Sequence, residues 1–140
     1  MLNINIICVG KIKETYLKDA IAEYSKRLSK YCNLTITELS DEKLPDKLND
    51  SIIENIKNKE SQKIIDSLKK DSYIFALDLT GKQFSSTDFS KKIDDIALNY
   101  NSSISFIIGG TLGLTDDVLK LSTEKISFSK MTFPHQLIRV

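Results

Sequence analysis

A parallel α/β domain is the fold class that this sequence predicts, and three observations predict it. Short runs rich in isoleucine, valine and phenylalanine recur along the chain, helical apolar patterns separate them, and runs such as "IIC" and "FII" show no alternation with polar residues. Strands covered by helices on both faces have no solvent side, so they read as continuous apolar runs, whereas half-exposed strands alternate. The chain has 140 residues, 41% of them hydrophobic, with only five glycines and two prolines. That material fits one compact domain, residues 1–140, able to bury a core.

The elements follow in order. "INIICVG" at 4–10 reads as the first strand, and Leu17, Ala20, Ile21, Tyr24 and Leu28 recur at helical spacing behind it. "LTITEL" at 34–39 is the second strand. From Asp41 to Lys70 charged and amide residues dominate, with Ile53, Ile56, Ile64, Ile65 and Leu68 as a sparse stripe, which predicts a loop and then a long, largely solvated helix. "YIFALDL" at 73–79 is the third strand. "SSTDF" at 85–89 caps a helix carrying Phe89, Ile93, Ile96, Ala97 and Tyr100, and "SISFIIG" at 103–109 is the fourth strand. In "LTDDVL" at 114–119, Thr115 caps a helix with Asp116 and Asp117 in its first turn, and "KISFS" at 125–129 is the fifth strand. Pro134 forces Phe133 out of helical geometry and opens a helix carrying His135 and Arg139, four apart on one face.

Charge and cysteines narrow the function. Twenty basic against 19 acidic residues leave a net charge of +1, too little for a protein that coats nucleic acid non-specifically, so any such contact is local. Cys8 lies in an apolar run and Cys32 in an expected turn; their spacing fits no zinc pattern or disulfide framework, which suits a reducing, cytoplasmic setting. No leader pattern or membrane-length run is expected, and no metal site.

Ligands of open parallel sheets gather at the carboxyl ends of the strands. Gly10 with "KIKE", "LDLTGK", "GGTLGL" and "SFSKMTFPHQ" all fall there. The Gly109-Gly110 pair admits backbone angles closed to other residues and lets a ligand reach the peptide groups, or serves only a tight turn. A phosphate is disfavoured because Asp116 and Asp117 stand where the anion would bind, and G-G-x-x-G after the fourth strand is not a dinucleotide fingerprint. An adenosine-type ligand held by backbone and apolar contacts fits better.

"SFSKMTFPHQLIRV" gathers hydroxyls, Lys130, Met131, the sole histidine and an arginine. His135 is a candidate general base, with a capping or structural role as the alternative. Arg139 is a candidate phosphate contact, or one half of an ordinary ion pair. Lys11, Lys13, Lys18, Lys26, Arg27 and Lys30 form an RNA-facing patch if they share a face with Lys130 and Arg139; a solvated helix face is the plainer reading. Asp78 and Lys82 flank the loop after the third strand, as substrate-orienting groups or as turn residues.

Taken together, "CVGKIKE", "AIAEYSKRLSKY", "LDLTGKQFSS", "FIIGGTLGL" and "SFSKMTFPHQLIRV" resemble the ribosomal RNA large-subunit methyltransferase H family, members of the SPOUT methyltransferases, over the whole chain. The resemblance implies a parallel α/β fold with a trefoil knot, a homodimer, and S-adenosylmethionine bound against the knot loops. It also implies methylation of N3 of a pseudouridine, position 1915 of 23S rRNA, on assembled ribosomes. The donor site it implies is Leu77, Gly109, Phe128, Ser129, Lys130, Met131, Thr132 and Phe133, to which Gly110 and Gly113 of the same glycine loop are added as cofactor-binding candidates, with His135 and Arg139 as candidates for moving a proton or positioning RNA, and no metal. Family members continue past "HQLIRV" with a further helix and a polar tail, so the expectation here is a SPOUT domain whose knot lacks that helix. A non-catalytic ribosome-binding module of the same fold is the alternative.

Overall fold

The computed structural model describes residues 1–140. Its sheet is built from β1 (Leu2–Val9), β2 (Cys32–Leu39), β3 (Tyr73–Lys82), β4 (Ser103–Ile108) and β5 (Glu124–Ile126). All neighbours pair in parallel, in the order β2-β1-β4-β3-β5. Helices α1 (Thr15–Leu28), α2 (Asp50–Ser67), α3 (Ser86–Asn99) and α4 (Asp116–Leu121) connect them, and a short 3-10 helix covers Leu137–Arg139. The parallel α/β expectation is met.

Right-handed crossovers applied to this strand order place α1 and α3 on one face and α2 and α4 on the other. The two cores agree: Val9, Ile64, Ile74, Ile107 and Val118 pack together on the α2 and α4 side, and Phe75, Ile96, Ile104 and Ile126 under α3. Successive residues Ile74 and Phe75 feed opposite cores, as the two-residue period of a strand requires. Phe75 stacks on Phe106 with ring centroids 5.2 Å apart. Helix starts are held by side chains that accept from orphan amides: Asn49 from Ile52 N–H at 2.8 Å, and Ser85 from Asp88 N–H at 3.1 Å. On the α1 and α3 side Tyr24, Leu28, Leu98 and Tyr100 stay exposed.

Four expectations are corrected. Cys32 is not in a turn: it opens β2, pairs with Leu2 and is buried. Cys8 pairs with Glu38 at the far end of the same two strands, so the thiols are too far apart to bridge, and both are free. The fifth strand is three residues long, because Ser127 to Ser129 turn away into a loop. The long helix is less solvated than expected, since Glu60 and Ser61 are buried with Ile56 and Ile64. No regular helix follows Pro134; His135 and Gln136 form a turn before the 3-10 segment.

Gly81 shows why β3 runs on past its first partner. After a register shift Lys82 pairs with Ile126, and a Cβ on Gly81 would lie 2.6 Å from the Ile126 backbone. Backbone cannot yield as a side-chain tip can, so Gly81→Ala should destabilise by about 2–3 kcal/mol. Urea denaturation checks this, and a loss under about 0.5 kcal/mol would show that the close approach relaxes freely.

Candidate functional site

The sheet's carboxyl end carries a cavity of about 520 Å³ walled by three segments: Leu77 to Leu79 at the turn within β3, Ile108 to Leu114 after β4, and residues from Ser127 to Ile138 after β5. Each wall has a local cause. Past Ile108 the chain closes a tight turn in which Gly113 N–H donates to the Gly110 carbonyl at 3.0 Å, with Gly113 at φ +82°, a conformation that favours glycine. Gly109 and Gly110 have no positive φ, which corrects the expected reason for them. They are small because the space is taken: a Cβ on Gly109 would meet Leu114 at 3.0 Å, and one on Gly110 would meet Glu60 at 3.2 Å and Val9 at 3.3 Å.

The third wall is irregular backbone held by its own serines. Ser127 N–H donates to the Lys82 carbonyl at 3.0 Å, the Ser127 hydroxyl to the Ser129 carbonyl at 2.7 Å, and Met131 N–H to Ser129 Oγ at 3.0 Å. These bonds hold a stretch that belongs to neither helix nor strand. They leave Phe128, Met131 and Phe133 on the rim, 54%, 75% and 44% exposed, an apolar margin open to a ligand.

Of the residues expected at a donor site, Leu77, Gly109, Gly110, Gly113, Phe128, Ser129, Met131, Thr132 and Phe133 line this one cavity, and His135 joins them. Lys130 does not; it is exposed and outside the lining. Arg139 does not either. Its side chain is 1% exposed, with Nη1 donating to the Gly10 carbonyl at 2.8 Å and to Glu38 Oε2 at 3.3 Å, and Nη2 to the Val9 carbonyl at 2.7 Å. A guanidinium so enclosed meets no solvent phosphate. The structure therefore gives it a packing role, tying the Leu137–Arg139 segment to the ends of β1 and β2. Asp78 lines the cavity and accepts from the Thr80 amide at 3.2 Å and from the Thr80 hydroxyl, while Lys82 Nζ lies over the Phe84 ring, 4.9 Å from its centroid. Lys11, Lys13, Lys18, Lys26, Arg27 and Lys30 are all exposed.

The chemistry of this lining is selective. No lysine or arginine faces the cavity and Asp78 is its only carboxylate, so a phosphate would find no counter-charge, whereas a neutral or cationic ligand suits apolar walls and bare peptide groups. Asp116 and Asp117 point their helix start elsewhere, outside the lining. His135 is half-buried, and its pKa is lowered by burial and by the charge of Arg139, against a weaker opposite pull from Asp41. Its imidazole is thus neutral around pH 7 and able to accept a proton. No group of three or more histidine, cysteine, aspartate or glutamate side chains is placed to hold a metal ion, and no helix is long and apolar enough to cross a membrane.

Two site residues escaped the sequence reading. Glu38 Oε2 receives both Arg139 and the Ile12 amide, the latter at 2.8 Å, and so fixes the loop after β1. Glu60 lies behind Gly110. Glu38 carried no signal, but Glu60 did: it stands four residues from both Ile56 and Ile64, on the buried stripe of α2.

A family model described as "Predicted SPOUT methyltransferase" matches residues 2–140. Among curated proteins, the ribosomal RNA large subunit methyltransferase H of Clostridium acetobutylicum is 57% identical over 139 residues, covering 99% of this chain and 87% of that protein. The proteins of the same name in Clostridium novyi and Clostridioides difficile are 55% and 52% identical, with the same coverage on both sides. A family match over residues 2–140, together with relatives more than half identical across nearly the whole chain, shows that this chain belongs to the SPOUT methyltransferase family.

Proposed function

We propose that this methyltransferase takes its methyl group from S-adenosylmethionine and places it on N3 of a pseudouridine in 23S rRNA of the large ribosomal subunit, in the cytoplasm and as a homodimer. The observation that carries the reading is the cavity itself: apolar walls, the exposed peptide groups of Gly109 to Gly113, one carboxylate and no basic side chain. That lining suits an adenosyl ligand with a cationic centre and no phosphate. The relatives' names, which specify large-subunit ribosomal RNA, support the substrate class.

When bound, S-adenosylmethionine supplies a methyl group activated by a positively charged sulfur. The chain's own residues do the rest. Leu77 and Phe128 offer an apolar slot, the Gly109 to Gly113 backbone offers hydrogen bonds, and together they align the reacting atoms. N3 of the target gives up a proton as it gains carbon, and neutral His135 at the cavity wall accepts it. Lys11 and Lys13, on the loop after β1 at the same end of the sheet, support RNA approach by charge. The exposed Tyr24, Leu28, Leu98 and Tyr100 support a partner copy covering that side.

Calorimetric titration of S-adenosylmethionine tests this reading, alongside transfer of labelled methyl to large subunits. Saturable binding at one donor per chain is expected, and Gly109→Arg, whose side chain starts 3.0 Å from Leu114, should lose at least tenfold in donor affinity while circular dichroism stays native. No donor binding by the wild-type chain, or undiminished binding by the folded variant, would sink it.

A further inference from the structure

Glu60 is a buried carboxylate with no ion pair of its own, because the nearby Lys63 is bonded to Glu42. It is 6% exposed, and it takes part in none of the chain's three ion pairs. Its Oε2 accepts only the Glu42 amide, at 3.1 Å, while its Oε1 lies against Gly110, 3.2 Å from where a Cβ would sit. Gly110 is a wall of the donor cavity. Behind that wall is a second, smaller cavity of about 240 Å³ that contains Glu60 and Asp41 and shares Gly110, Thr111, Leu112 and His135 with the first. Only the glycine turn and His135 separate these carboxylates from whatever occupies the donor site. A buried charge that lacks a partner is unfavourable, and a cation arriving across a few ångströms of protein relieves it.

Resting on the donor-site reading above, we propose that Glu60, assisted by Asp41, is a specificity-determining charge that favours the cationic methyl donor over its neutral, demethylated product. The donor carries a sulfonium; after transfer the sulfur is an uncharged thioether. The two ligands are otherwise nearly the same shape, so apolar contacts and backbone hydrogen bonds bind both alike. A negative charge behind a bare glycine distinguishes them by charge alone, and it helps product leave. The absence of a side chain at Gly110 keeps the carboxylate close to the cavity and leaves its field undiluted by an intervening group. Asp78 is the only carboxylate lining the donor cavity itself, while Arg139, the buried cation beside His135, is already paired with Glu38.

The test compares the dissociation constants of S-adenosylmethionine and S-adenosylhomocysteine by calorimetry at low salt. Glu60→Gln keeps an oxygen for the Glu42 amide and removes the charge. The expected result is donor affinity weakened about three- to tenfold with product affinity unchanged, so that the ratio of the two falls. Equal weakening of both ligands would mean that Glu60 only holds the loop, and an unchanged ratio would overturn the proposal outright. Asp41→Asn, an exposed change that spares the core, should move the ratio the same way by a smaller factor, and this arm decides the matter if Glu60→Gln does not fold. A wild-type chain that binds neither ligand overturns the donor-site reading and this proposal with it. Binding of both ligands with no response in either variant overturns this proposal alone.

Discussion

Replacing Arg139 with alanine should cost about 3–4 kcal/mol of stability. The guanidinium is almost fully enclosed and donates to two carbonyls at the end of β1, Val9 at 2.7 Å and Gly10 at 2.8 Å, as well as to Glu38. Removing it strands those acceptors in a dry environment, and it frees the Leu137–Arg139 segment, whose Ile138, with Pro134 and His135 just before it, helps line the cavity. Its Nε has no partner, so the enclosure already carries some desolvation cost, and this keeps the estimate below a sum of three full bonds. Arg139→Lys should recover under half of the loss, because a lysine cannot reach two carbonyls and a carboxylate at once with a planar fork. Chemical denaturation checks both variants. A loss below about 1 kcal/mol for the alanine variant would mean that the enclosed geometry contributes little.

The second large effect is on turnover. His135→Ala should lower kcat by roughly 10²–10³-fold while KM for the donor changes little, as expected for a group that accepts a proton in the reaction and does not mainly bind ligand. The pH profile separates this role from a structural one. Burial and the Arg139 charge both disfavour the imidazolium, so the proton leaves His135 at lower pH than from a free histidine. The neutral, active form is therefore complete through the neutral range, and activity should decline on the acid side with an apparent pKa below about 6.5. In the variant that acid limb should vanish. A kcat within threefold of wild type, or an unchanged acid limb, would remove His135 from the proton path.

The same form of His135 bears on stability. A histidine whose folded pKa is depressed opposes protonation of the folded state, so its neutral form adds stability that is present above the ordinary histidine pKa. That stability is lost as pH falls through about 6.5 and then through the lower folded value. Acid therefore weakens this corner of the fold and the reaction together.

Fold and site were legible to different depths. The parallel sheet was written in runs such as "YIFALDL" and "SISFIIG", whose unbroken apolar character follows from helices on both faces, and helix starts were written in Ser85 and Thr115, where a short polar side chain meets an orphan amide. Nine of the ten expected donor residues reached one cavity because strand order alone brings the loops after β3, β4 and β5 to one end of the sheet. These are local or topological signals, and sequence carries them.

Charged residues were the opposite case, because what a charge does depends on what lies around it. Arg139 reads like a surface cation and is buried; Glu60 reads like part of a solvated helix and lies behind the cavity wall at Gly110; the Gly109-Gly110 pair reads like unusual backbone and is instead a matter of space. The sequence by itself determined the class, the order of the elements, the family and the segment that walls the site. Only tertiary structure decided which ionisable groups face the cavity, which stand behind its wall and which merely hold the walls, since that depends on distances and burial between segments far apart in the chain.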